Sequence, residues 1–206
     1  EMLEGIQRGQ YEISSIHAPC PENPGPWDYL ASLDERKRRQ AIAQVKNTIA
    51  LAKELNAPIV ILHMGKVVMD PSIESHLREL YNQGKKGSRE YHDVKKQLIE
   101  TRAGMQEQNL AAAIESLVEL AECARDAGIK LGLENRYHYY EIPNLEEMRT
   151  LLELDSETVF YWHDTGHAQH LENLGFTRHE EWLGTFASRM AGVHLHDIVG
   201  LKDHQV

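Results

Sequence analysis

Histidines and carboxylates recur just behind short apolar runs. His17 follows "YEISSI", His63 closes "PIVILH" and Glu134 closes "IKLGLE". Asp164 and His167 follow "TVFYWH", and His194, His196 and Asp197 lie in "AGVHLHD". Imidazole and carboxylate are the nitrogen and oxygen donors that hold divalent transition metals and move protons near neutral pH. A single histidine at the end of a strand is ordinarily a hydrogen-bonded core residue. Five apolar runs that each end in His, Glu or Asp point instead to one shared metal site. A donor set without cysteine suits Zn²⁺, Mn²⁺, Co²⁺ or Fe²⁺ better than Ca²⁺, and several imidazoles disfavour Mg²⁺. Asp164 and His167 are three residues apart at a strand-to-helix turn, so both can face one cavity. His163 should point the opposite way by strand alternation. His170, about one helical turn beyond His167, reads either as support for a ligand or as surface.

These residues converge only if the runs that carry them are parallel strands. The runs 11–16, 58–63, 129–134, 158–163 and 191–196 are short and apolar, as strands covered on both faces are. Helical patterns lie between them. "SLDE", Ser32 to Glu35, reads as a capping box, followed by the stripe Ile42, Val45, Ile49, Ala52 and Leu55. Leu110, Ile114, Leu117, Ala121 and Ala124 form a second stripe, ended by Gly128. Asn144 caps "LEEMRTLLEL", and "HEEWLGTFASRM" is a further helical run. Alternation of this kind specifies an α/β fold with a parallel sheet and right-handed crossovers. One domain is expected over 1–206, with a polar helical insertion at about 67–109 broken between Gly84 and Ser88. The insertion reads as a solvated excursion, a lid or an interface, the last of which would fit a homo-oligomer.

Composition narrows the function classes. A net charge of −10 argues against a broad phosphate-binding surface, although a metal site can supply local positive charge. No apolar run approaches the roughly 18 residues of a membrane helix. The two cysteines, Cys20 and Cys123, lack CxxC spacing, so a reducing cytoplasm is the expected compartment. "GKKGSRE" reads as an exposed turn rather than a phosphate loop, and His76, His92 and His179 as solvated.

Taken together, "HAP", "LHMG", "LEN", "HDTGHA" and "VHLHD" resemble the xylose isomerase-like barrel superfamily, across essentially the whole chain except the insertion. That group includes sugar and sugar-phosphate isomerases and epimerases and the endonuclease IV apurinic-site nucleases. The resemblance implies a (β/α)8 TIM-type barrel, of which the five strands would be about the third to seventh. It therefore implies a parent chain of roughly 270 residues, the usual size of such barrels. The fragment would lack the first two strands and the last strand with its closing glutamate. The resemblance also implies that Glu134, Asp164 and His194 are shared metal ligands. His167 would contact substrate or bind another zinc, and His17 and His63 would match ligands of a further zinc in the nucleases. His204, in "LKDHQV", would match a late-loop ligand.

The leading expectation is a divalent-metal-dependent isomerase or epimerase of a small sugar, sugar phosphate or polyol, working through an enediolate. One to three Zn, Mn or Co ions are expected. Glu134 would move the proton, His167 would stabilise the oxyanion, and Arg136 would hold a substrate group or form a structural salt bridge. Trp27, Tyr137 and Tyr139 are candidate walls, and Cys20 reads as an unreactive thiol. The alternative is a zinc-dependent apurinic-site phosphodiesterase acting on nucleic acid. Its weakness is the loop after His17, acidic and proline-rich, where only Trp27 and Tyr29 offer stacking. A third reading is a non-catalytic sugar-binding barrel, distinguished by the absence of the closing glutamate in the parent chain.

Overall fold

The computed structural model describes residues 11–19 and 29–205, together with Gly5 and Gly9. A five-stranded parallel sheet runs in the order β1 to β5. Its strands are β1 (Ile16–His17), β2 (Ile59–Leu62), β3 (Lys130–Glu134), β4 (Val159–Asp164) and β5 (Met190–His194). Helix α1 (Glu35–Glu54) joins β1 to β2, and α2 (Ser72–Asn82) with α3 (Arg89–Ala127) join β2 to β3. Helix α4 (Leu145–Glu153) precedes β4, and α5 (Thr165–Asn173) and α6 (His179–Phe186) lie between β4 and β5. Parallel neighbours in strict sequence, each separated by helix, form a curled portion of a TIM-type barrel.

The helices form where apolar spacing and caps agree. Ile42, Val45, Ile49 and Ala52 of α1 are buried against the sheet, as are Leu117, Ala121 and Ala124 of α3. Gly128 ends α3 in the left-handed conformation, φ 74°, which costs glycine little. Asn144 and Glu147 form the reciprocal capping box of α4. On the strands, bulky and small residues alternate to fit the curvature. The Trp162 ring of β4 lies over Gly132 and Gly192, and a Cβ at Gly192 would collide with it.

Several sequence expectations need correction. The first strand is shorter than 11–16, pairing only through Ile16↔Val60 and His17↔Ile61. The N-cap of α1 is Asp34, whose carboxylate accepts from Lys37 N at 3.2 Å. Ser32 Oγ instead accepts from Asp34 N, also at 3.2 Å, so the serine braces the cap rather than forming it. The fifth strand ends at His194, two residues early. The chain then turns into an antiparallel hairpin, β6 (Asp197–Val199) and β7 (Lys202–Gln205), which the sequence pattern did not announce.

The segment 84–88 is an exposed turn, as expected, and Ser88 caps α3. Helix α3 continues without a break through residue 109 to Ala127. Its first half therefore shares one rod with the core half, and α2 packs against it as a separate helix. Leu77, Leu80, Tyr91 and Leu98 form a second apolar cluster with Leu174 and Leu201. Cys123 is a half-buried free thiol, while Cys20 and Trp27 lie outside the described residues. Among the described residues no helix is long and apolar enough to cross a membrane.

Candidate metal centre

His17, Glu134, Asp164 and His194 are the last residues of β1, β3, β4 and β5, and His63 directly follows β2. Because the strands are parallel, these ends meet on one face. His17, His63, Glu134, Arg136, Asp164, His167, His194 and His204 all line one cavity of about 420 Å³. Glu134 stands at its centre, only 2% exposed. Its Oε2 lies 2.7 Å from His63 Nε2 and 3.2 Å from His17 Nε2, and its Oε1 lies 2.7 Å from His194 Nδ1. Asp164, 1% exposed, has Oδ2 at 3.6 Å from His194 Nδ1 and 3.1 Å from His196 Nε2. Its Oδ1 caps α5 by accepting from His167 N at 2.8 Å.

Two donor groups follow, His17–His63–Glu134 and Glu134–Asp164–His194, each with its ligand atoms within 4.8 Å of one another. They share Glu134. Proton counting tests whether a cation fits them. His17 Nδ1 sits 2.6 Å from the Ala18 carbonyl, which can only accept, so Nδ1 carries a proton. A neutral His17 then turns the Nε2 lone pair toward the Glu134 carboxylate. His167 repeats the pattern, donating Nδ1–H to Asn135 O at 2.9 Å and facing Asp203 Oδ2 with Nε2 at 3.6 Å. Acceptor facing acceptor in a buried site is unfavourable unless the ring takes a second proton or a cation lies between. The donor set therefore fits a divalent ion.

The electrostatics agree. Burial alone would raise the Glu134 pKa, but the imidazoles of His17, His194 and His63, when protonated, outweigh it and hold the carboxyl far below the usual range. Burial likewise opposes, and His194 and His167 overcome, the ionisation of Asp164. His194 is pushed up to about 9 by hydrogen bonds to Asp164 and Glu134, whereas burial lowers His167.

Arg136 is buried, with Nη1 3.6 Å from Glu134 Oε2 and Nη2 2.7 Å from Glu141 Oε1. It thus lines the cavity and forms a salt bridge with Glu141. Tyr137 packs at a tilt on His170, ring centres 3.7 Å apart, and half-buried Tyr139 stacks on Phe176 at 4.0 Å against the edge of the core. His170 is fully buried, so the surface reading does not apply to it. His163 turns away from the cavity to Tyr161 and to His179, which is half-buried and hydrogen-bonded rather than solvated. His76 and His92 are exposed as expected.

Sequence reasoning missed Asn135, Glu141 and Asp203. Asn135 sits between two selected residues in "LENR", which is a signal of position only. Glu141 and Asp203 reach the site through loops whose paths are set by tertiary packing.

The sequence model of the xylose isomerase-like TIM barrel family matches residues 7–206. The chain belongs to that family. Among relatives of this xylose isomerase-like barrel, an uncharacterized protein of Methanocaldococcus jannaschii is 24% identical over 97% of this chain and 56% of its own length. The crystal structure of a D-tagatose 3-epimerase-like protein matches 97% of this chain and 61% of its own, with a TM-score of 0.62 and 24% identity. The 3-keto-D-glucoside 4-epimerase of E. coli, in its apo form, matches 94% of this chain and 62% of its own, with a TM-score of 0.63 and 14% identity. The chain thus spans about three fifths of these relatives' length, and at such identities the structural likeness establishes the fold.

Proposed function

We propose that this xylose isomerase-like barrel is a divalent-metal-dependent isomerase or epimerase of a small sugar or polyol. The observation that carries the reading is the Glu134–Asp164–His194 group, two buried carboxylates and a half-buried imidazole, on the wall of a cavity of about 420 Å³, a volume within the ordinary range for small-molecule sites. Glu134, Asp164 and His194 would hold an ion of Zn²⁺, Mn²⁺ or Co²⁺ type. When bound, it supplies Lewis acidity to oxygens on adjacent substrate carbons. Glu134 carries the carboxylate that moves a proton at the carbon beside a carbonyl. His167, with its Nδ1–H committed to Asn135 O, turns Nε2 to the cavity to meet a substrate hydroxyl. Arg136, braced by Glu141, holds a further substrate oxygen.

The test is metal content of protein purified without chelator, together with solvent deuterium uptake by a panel of ketoses. A single ion per chain and exchange beside the carbonyl, both lost in Glu134→Gln, are expected. A folded protein that binds no divalent ion would overturn the reading.

A second reading rests on the second donor group. His17, His63 and the shared Glu134 would hold another ion beside the first, the arrangement used to clamp a phosphodiester, with His167 and His204 as further ligands. Two or more zincs per chain, with cleavage of abasic DNA, would favour this phosphodiesterase.

A further inference from the structure

Behind the cavity wall, Asn135 is fully buried and every polar atom of its side chain is used. Its Oδ1 accepts from Asp164 N at 2.7 Å and from Tyr161 OH at 3.1 Å, and its Nδ2 donates to Asp164 O at 2.9 Å. The amide orientation is unambiguous, because the flipped form would set Nδ2 against the Asp164 N–H. Asn135 thus grips the backbone of Asp164 on both sides, and its own carbonyl accepts from His167 Nδ1.

The amide is itself held. Tyr161 has one hydroxyl proton, which must go to Asn135 Oδ1, since that atom only accepts. The phenol oxygen then accepts from His163 Nδ1, 2.5 Å away. A neutral His163 is left with a bare Nε2, 3.0 Å from His179 Nε2, while His179 Nδ1 lies 3.2 Å from the accepting Gln169 Oε1. Asn135, Tyr161 and His163 form a chain whose proton directions are set from the Asp164 end.

We propose that Asn135 and Tyr161 are positioning residues of the metal centre: the amide places Asp164 and His167, and the phenol, oriented by His163, fixes the amide. The metal part rests on the reading above; the proton order of the chain does not. Residues of this kind hold ligands in the geometry an ion requires, and removing them typically weakens binding about 10–100-fold.

Two measurements test it. In metal-free protein, nitrogen-15 NMR of the His163 ring should find the proton on Nδ1; a proton on Nε2 overturns the chain. Calorimetric titration with Mn²⁺ and with Zn²⁺ should find Tyr161→Phe weaker than wild type by about 10-fold. The control is Tyr91→Phe, which removes a buried hydroxyl donating to Leu174 O in the second apolar cluster; it should lose stability and keep its ion affinity. Equal affinity in Tyr161→Phe and wild type, or equal loss in both variants, overturns the positioning role. A wild type that binds neither ion while His163 keeps its Nδ1 proton overturns the metal reading and the positioning role with it, but not the chain.

Discussion

Two regions of this molecule bury carboxylates, and they do so differently. Where α2 and α3 dock on the loop after β3, every buried acid meets donors. Glu74 accepts from His138 Nδ1 at 2.7 Å and Tyr139 N at 2.9 Å. Glu147 accepts from Arg102 at 2.7 and 2.9 Å and from Asn144 N at 2.7 Å. At the strand ends, Glu134 and Asp164 lie together among imidazoles, and at His17 the proton count leaves a lone pair facing a carboxylate. In the first region the buried acids are satisfied by protein groups alone. The second gathers two carboxylates among several imidazoles, a donor set that suits a cation, which separates a structural ion pair from a candidate metal site.

The comparison can be broken most severely from the docked side. Arg102→Met would leave Glu147 buried without its guanidinium, and breaking such a pair costs about 3–5 kcal/mol. Urea unfolding should register that loss while ion affinity, measured by calorimetry, is unchanged. If affinity falls as well, the two regions are not separable.

The converse change is Glu134→Gln, which removes the carboxylate common to both donor groups. Zn²⁺ at about 100 times its dissociation constant should stabilise the wild type by about 2.7 kcal/mol, and a chelator should reverse this. The variant should gain nothing from the ion, whereas Arg102→Met should keep the increment. Thermal unfolding with and without ion reads both.

Gly192→Ala probes the strand packing beside the site. Its methyl group would collide with the Trp162 ring, which packs on His194 at 5.2 Å between ring centres. Overpacking of this kind costs about 1–3 kcal/mol, and the tryptophan emission should shift. An unchanged spectrum and stability would mean that the inner layer tolerates more than its spacing implies.

The last effect is a pH dependence. Burial would raise Glu141, but Arg136 and His138 outweigh it and lower its pKa from 4.5 to about 2. A depressed carboxyl stabilises the fold above its unfolded pKa, and the contribution disappears as pH falls through the folded value. Stability of the wild type should therefore decline between about pH 4.5 and 2, and Glu141→Gln should flatten that part of the curve. Equal slopes in urea titrations at pH 5 and pH 3 would refute the assignment.

The convergence of His17, His63, Glu134, Asp164 and His194 was legible in the sequence, because parallel strands of period two in a strand–helix repeat leave their ends no other place to go. The buried stripes of α1 and α3, the cap at Asn144 and the outward turn of His163 were legible for the same reason: each depends on neighbours within a few residues. The shift of the α1 cap from Ser32 to Asp34 was not, since both residue types cap helices and the choice depends on how the chain enters. Nor was the hairpin of β6 and β7, which brings Asp203 to His167 across 36 residues of sequence. Residue type and spacing by themselves determined which donors gather at one face. Only the tertiary structure decided that both donor groups share Glu134, that Glu141 holds Arg136, and that Asn135 grips Asp164, because proton direction and lone-pair facing are properties of distances between strands and loops.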